Sequence, residues 1–222
     1  MASLKATTAF LSSIEDQTVV FKFVDILDLI LRIVIEALKT DEDQGRVALE
    51  SISELTNAHP EVWKNPSNLL TVTAEIIRNT RFDDATRSAA VEVILSLSGT
   101  MPAVLRKAPE TKNLFYPALV SLLMEVEKDT SVWEQVEEDE DAISKDPVST
   151  AIHALVRLSE DLNAKTTLEC TQDILKELLF SEDWIKAQAG WTLLGVISSS
   201  TKDILKQHLA ITLQDVARGV RH

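Results

Sequence analysis

Between Glu125 and Asp146 the chain sets ten carboxylates (Glu125, Glu127, Asp129, Glu134, Glu137, Glu138, Asp139, Glu140, Asp141 and Asp146) against Lys128 and Lys145. That is −8 of a formal net charge of −13, in a tenth of the 222 residues. Like charges packed this densely repel one another and stay extended. Two uses are open: a solubilising loop, or a focused negative field that docks a basic protein segment. The densest part is Glu134, Glu137, Glu138, Asp139, Glu140 and Asp141. Trp133 beside it is either an anchor for the loop or an apolar contact for a partner.

Other chemistry is sparse. His59, His153, His208 and His222 are isolated in sequence. No His-x-x-x-His, His/Cys or paired-carboxylate spacing points to a metal, and neither phosphate-loop glycine motif occurs. Cys170 is the single cysteine, which excludes an intrachain disulfide and a multi-cysteine zinc site. It points to a reducing, intracellular setting and reads as a buried, inert thiol. His153 reads as exposed or hydrogen-bonded. Ser198-Ser199-Ser200-Thr201 reads as a helix end followed by an N-cap, with no base nearby in sequence. The expectation is no enzyme, no cofactor and no metal. The strong negative charge also argues against direct nucleic-acid binding, which needs a cationic surface.

The elements that position these residues are helical. Five glycines and six prolines in 222 residues are about 5%, against an ordinary share of roughly 12%. Apolar residues recur at helical spacing, predicting helices over about 3–14, 19–39, 44–58, 67–79, 83–99, 112–126, 148–162, 166–180, 183–199 and 201–219. Asp41-Glu42-Asp43, Arg81-Phe82-Asp83-Asp84 and Ser181-Glu182-Asp183 are breaks that can cap the next helix. Pro117 falls near a first turn, where proline is tolerated. Val24 to Leu38 is the most apolar stretch, but Asp25, Asp28, Arg32 and Glu36 interrupt it. A membrane span needs about 20 largely uncharged residues, so no membrane insertion is expected. No secretory signal is visible at the N-terminus. Trp184 and Trp191 lie seven apart and so share a helix face; core packing is the first reading, a surface pocket for a Phe side chain the second.

The pattern also repeats. Ala48-Leu49-Glu50-Ser51-Ile52-Ser53-Glu54-Leu55 returns 42 positions on as Ala90-Val91-Glu92-Val93-Ile94-Leu95-Ser96-Leu97, each followed by a proline at the same offset, Pro60 and Pro102. The same slots return at Ala151, after a longer interval, and again at Gly190. An insertion before Ala151 accounts for the longer interval; without it the offset returns to that of the first two copies. Two helices in about 40 residues are the HEAT-type signature. The predicted fold is all-α, an α-solenoid of roughly ten helices. Its units are 1–14 (second helix of a preceding repeat), 19–58, 67–99, 112–162 with the acidic insertion at about 127–147, 166–199, and 201–222 (first helix of a following repeat). Small residues at Ala48, Ala90, Ala151 and Gly190 allow close helix approach. Neither end reads as a polar cap, so a piece of a longer chain is expected. Acids on the second helices, Glu50, Glu54, Glu92, Glu160 and Asp161, give a further candidate binding face.

Several segments resemble the importin-β family of nuclear transport receptors, specifically the importin-5 type. They are Ala9-Phe10-Leu11-Ser12-Ser13-Ile14-Glu15-Asp16, Leu105-Arg106-Lys107, Trp133 with the acidic run, Ser149–Leu162, and Ser181-Glu182-Asp183-Trp184 leading into Lys186-Ala187-Gln188-Ala189-Gly190. Their order and spacing match across most of the chain. The resemblance implies a soluble carrier that shuttles between cytoplasm and nucleus and is transiently at the nuclear pore. Such receptors bind basic cargo or nuclear-localisation signals, contact Phe-Gly nucleoporins, and respond to the Ran GTPase. An acidic loop within one HEAT repeat takes part in Ran or cargo contacts in the family. By position that role falls on Glu134, Glu137, Glu138, Asp139, Glu140 and Asp141. Asp84 and Arg87 fit the family's Asp/Arg turn, whereas the fourth unit has Ala187 where the family favours Arg. The competing expectation is a HEAT-repeat scaffold for another multiprotein complex.

Overall fold

The computed structural model describes residues 2–126 and 146–206, and every regular element among them is helical. The chain divides into two compact units, Met1–Ala118 and Leu119–His222.

In the first unit, α1 (Ala2–Ser12) is followed by a short α2 (Gln17–Val20) and a 3-10 stretch, Phe21–Ile26. Then come α3 (Leu27–Thr40), α4 (Glu42–Ala58), α5 (Ser67–Arg78) and α6 (Asp84–Thr100). The single helix expected over 19–39 is thus three pieces. No side chain of Phe21–Ile26 is buried, so no packed stripe holds that stretch to the α-helical period. From Leu27 onward the stripe is complete: Leu27, Ile30, Leu31, Val34, Ala37 and Leu38 are buried, the i, i+3, i+4, i+7 row of a helix with one face in a core.

Helix α4 packs on α1, α3 and α6, and α6 packs on α4 and α5. The second helices α4 and α6 therefore form one layer, with α3 and α5 over them. Ala48, Ile52, Leu55, Ala90, Val93, Ile94 and Leu97 are fully buried between these helices. Each large aliphatic side chain there contributes about 1.5–3 kcal/mol relative to exposure. The repeat is visible in the backbone itself. Asp41 caps α4 by accepting from Gln44 N, and Asp83 caps α6 by accepting from Thr86 N. The helices close at His59 (φ −137°, ψ 64°) and Met101 (φ −135°, ψ 59°), each followed by a proline that opens a short helix. Those short helices, a 3-10 turn Pro60–Trp63 and α7 (Pro102–Lys107), lie in stretches that the apolar periodicity leaves as loops.

A π-turn, Thr111–Phe115, leads into α8 (Tyr116–Leu123). Tyr116 N–H reaches back to Thr111 O, one position beyond the α-helical partner. Pro117 follows at once, and having no N–H it cannot continue the regular i, i−4 ladder.

The second unit holds α9 (Pro147–Asp161), α10 (Ala164–Leu178) and α11 (Trp184–Leu205). Helix α11 packs on both of the others. Its buried face is Ala189, Gly190, Leu193, Ile197 and Thr201. A Cβ on Gly190 would lie 2.8 Å from Leu178 Cβ and 3.0 Å from Leu179 N, so α11 meets the end of α10 at backbone distance. Asn163 turns α9 into α10 with φ 68° and ψ 159°, and its side chain caps α10 by accepting from Thr166 N.

Two expectations are corrected here. The break at Ser199-Ser200-Thr201 does not exist, because α11 runs unbroken to Leu205. Its hydroxyls bond within the helix instead of capping a new one: Ser198 Oγ donates to Gly195 O, while Ser200 Oγ and Thr201 Oγ1 donate to Ile197 O. The tryptophans do share a face, but it is opposite the one carrying Ala189, Leu193 and Ile197. Trp184 is 51% exposed, and Trp191 is half-buried, its ring edge-on to Phe180 at 6.2 Å.

Candidate partner-binding surfaces

Glu134, Glu137, Glu138, Asp139, Glu140 and Asp141 lie outside the described residues. The helix acids divide between the units. In the second, Glu160 is exposed and Asp161 half-buried at the end of α9. In the first, Glu50 and Glu54 are exposed one turn apart on α4, and Glu92 is exposed on α6. Glu92 occupies the place of Glu50 in the next copy of the pattern. Between the two helices Ser53 Oγ and Ser96 Oγ share a hydrogen bond of 2.7 Å. The three carboxylates therefore belong to one pair of packed helices.

The same helices carry an ion-pair group at their N-terminal ends. Arg46 contacts Asp43 in its own helix and Asp83 at the start of α6, the latter at 3.2 Å. Asp83 N–H donates to Glu42 Oε1 at 2.7 Å. The Asp83 carboxyl is held below its ordinary range, first by the Thr86 backbone N–H it accepts, with the Arg46 guanidinium acting in the same direction. Arg87, of the predicted Asp/Arg turn, is buried; its Nε donates to Ile77 O at 2.8 Å and Nη1 lies 3.4 Å from Asp84. It ties the end of α5 to the start of α6.

Two concave places in the first unit are not evident from the sequence pattern. One is a cleft of about 540 Å³ lined by Phe21, Val24, Asp25, Leu27 and Asp28 from the 3-10 stretch and α3, and by residues 61–65, Asn68 and Leu69. Asn68 Nδ2 donates to Asp28 Oδ1 at 2.8 Å, and Glu61 Oε1 meets the Nδ1 of buried His59 at 3.2 Å. The Lys64 ammonium sits 4.2 Å from the centre of the Phe21 ring. The sequence signal is present in Asp25 and Asp28, which look like mere interruptions of an apolar run. What joins them in the cleft, from Glu61 to Asn68, comes from a distant part of the chain. The other place is a crevice of about 170 Å³ between α3 and α5, lined by Ile35, Leu38, Val72, Ile76 and Phe82 with Lys39, Glu75 and Asn79.

Cys170 is buried, and His153 is exposed on α9. Among the described residues no group of three or more His, Cys, Asp or Glu is placed to hold a metal ion. Among them too, no helix is long and apolar enough to cross a membrane.

Residues 79–169 match a family model described as the importin repeat. The matched stretch takes in α6, α7, α8, α9 and the acidic run, so the resemblance to the importin-β family is borne out where it was carried by Trp133 and the charges after it. Nearly the whole chain is also similar to solved structures of Kap121p. Kap121p alone aligns with TM-score 0.85 at 18% identity, over 97% of this chain and 21% of that one. Kap121p bound to Nup53p aligns with TM-score 0.84 at 18% identity, over the same shares of the two chains. Kap121p bound to RanGTP gives 0.84 at 18%, over 97% of this chain and 22% of that one. The likeness shows the fold: an all-α helical solenoid, as the repeat spacing predicts. The chain spans about a fifth of the length of those structures.

Proposed function

We propose that this importin-repeat chain is the cargo-binding stretch of a nuclear import receptor. It takes basic cargo or nuclear-localisation signals, is regulated by the Ran GTPase, and contacts Phe-Gly nucleoporins while shuttling between cytoplasm and nucleus. In this reading the units 19–58, 67–99, 112–162 and 166–199 are HEAT repeats, the last continuing to the end of α11. It has no catalytic role. The observation that carries the reading is the importin repeat at 79–169 together with the exposed acids Glu50, Glu54 and Glu92 on packed second helices. Kap121p, whose fold this chain shares, has been crystallised with RanGTP, Nup53p and Pho4p, which supports a receptor over a static scaffold.

The mechanism is electrostatic capture. A basic segment is drawn to carboxylates of opposite charge: the run Glu134, Glu137, Glu138, Asp139, Glu140 and Asp141 is one candidate, the acids Glu50, Glu54 and Glu92 of the first unit a second, and Glu160 and Asp161 of the second unit a third. Such attraction is screened by salt, so affinity for a lysine-rich signal peptide falls steeply between about 50 and about 300 mM salt. The apolar crevice between α3 and α5 has the chemistry for a Phe side chain of a Phe-Gly segment.

The test is a pull-down from cell extract with the wild-type chain and a charge-neutral 134–141 variant, with and without RanGTP. Basic proteins retained by the wild type, lost from the variant and released by RanGTP are the expected result. Partners that survive both changes would place the chain in a scaffold of another complex.

A further inference from the structure

The cleft beside Phe21 has no part in the receptor reading. Three carboxylates line it, Asp25, Asp28 and Glu61, together with the apolar surfaces of Phe21, Val24, Val62 and Trp63. Among the described residues, Lys64 is its single lining cation. Its volume of about 540 Å³ falls within the range of clefts that hold ligands, about 300–1,000 Å³.

We propose that this cleft binds an extended partner segment presenting an arginine beside an apolar residue. The charge of the lining calls for a cation. The carboxylates are not gathered as a metal site, since no described group of three or more such side chains is placed to hold one ion. A cleft whose lining mixes carboxylates with apolar side chains suits a peptide that brings a cation and a hydrophobic side chain together. The Phe21 ring already carries the Lys64 ammonium on its face at 4.2 Å, so the cleft accepts a cation there. A guanidinium stacks on an aromatic face and bridges carboxylates with its planar fork, which favours arginine over lysine. Asn68 and His59 hold Asp28 and Glu61 by hydrogen bonds, which reduces what binding must order.

The test is fluorescence anisotropy on the full chain with labelled Gly-Leu-Arg-Leu-Gly and its counterpart Gly-Leu-Glu-Leu-Gly. The expected result is binding of the arginine peptide alone. Asp25→Asn with Asp28→Asn weakens it by about fivefold or more, and Lys64→Gln tightens it by removing a competing cation. These three side chains are exposed, so unchanged melting curves accompany both variants. No binding of the arginine peptide up to about 1 mM, equal binding of both peptides, or full binding by the Asn double variant overturns the inference. Binding lost only in the 134–141 variant also overturns it, while leaving the receptor reading intact. Binding lost only in the cleft variant supports it whatever the fate of that reading.

Discussion

Arg46 Nη1 lies 3.2 Å from Asp83 Oδ2, joining α4 to the N-cap of α6, the helix that repeats its pattern. Asp83 thus acts on two levels at once. Its carboxylate accepts from Thr86 N–H and closes the first turn of α6. The same carboxylate takes the guanidinium of the preceding pair, and its backbone N–H donates to Glu42. The link repeats none of the buried contacts of the core; it fixes the register of one helix pair on the next at the surface.

Of these roles the cap contributes most. The pair with Arg46 is half-exposed, and exposed ion pairs contribute about 0–1 kcal/mol. An N-cap contributes typically about 1 kcal/mol. Asp83→Ala should therefore lower unfolding free energy by about 1–2 kcal/mol in urea titration, and Arg46→Ala by less than about 0.5 kcal/mol. The sign with pH follows from the depressed carboxyl. Its stabilisation is complete above the unfolded value, about 3.9, and is lost as pH falls through the lower folded value. The gap between wild type and Asp83→Ala should shrink on acidification, and a gap that widens would contradict the assignment.

Two glycines of α11 should respond oppositely to the same methyl. At Gly190 the new Cβ would stand 2.8 Å from Leu178 Cβ and 3.0 Å from Leu179 N. Backbone cannot yield as a side-chain tip can, so Gly190→Ala should cost about 1–3 kcal/mol. At Gly195 nothing lies within 4 Å. There alanine should stabilise by about 0.5–1 kcal/mol through helix propensity alone. Thermal melts of the two variants decide the matter, and like signs would refute the close approach of α10 and α11.

Asn163 holds a backbone conformation, φ 68° and ψ 159°, that belongs to glycine. It also supplies the cap on Thr166 N. Asn163→Ala keeps the strain and loses the cap, so a loss of about 1–2 kcal/mol is expected. Asn163→Gly loses the cap but relieves the strain, and glycine costs only a few tenths as a cap. Stability at or above wild type is expected for it. A glycine variant weaker than the alanine variant would disprove the strain.

What can be read in the chain and what cannot divide by the range of the interaction. Asp41, Asp83 and Asp183 are legible as caps because a cap is a contact between near neighbours in sequence. Ala48, Ala90 and Ala151 are legible as close-approach positions because repetition exposes a demand that one copy hides. The short helices at Pro60–Trp63 and Pro102–Lys107 complete no apolar period, so they pass for loops. The Ser198-to-Thr201 run misleads because a hydroxyl caps a new helix or bonds back within the old one according to tertiary packing, and here Thr201 is buried against the unit's core. Trp184 shows the same limit: spacing tells that two residues share a face, not which way that face points. The Phe21 cleft needs Asp28 and Asn68 together, and no local pattern pairs them.

The crevice between α3 and α5 gives the last prediction. Ile35, Leu38, Val72, Ile76 and Phe82 offer a Phe side chain an apolar seat of about 170 Å³. Val72 is half-buried, so Val72→Asp should place a charge in the seat while sparing the fold. A buried Phe side chain is worth about 1.5–3 kcal/mol, so the variant should bind a Phe-Gly repeat peptide at least about tenfold more weakly. The two classes of partner should also part on salt. Raising salt should leave Phe-Gly binding unchanged or strengthen it, because apolar burial is not screened. Under the proposed function the same increase should weaken binding of a basic signal peptide, because attraction between opposite charges is screened. Isothermal titration of both peptides against wild type and Val72→Asp, at two salt concentrations, separates the surfaces. Equal losses for both peptides in the variant would show that the crevice and the acidic surface are not independent.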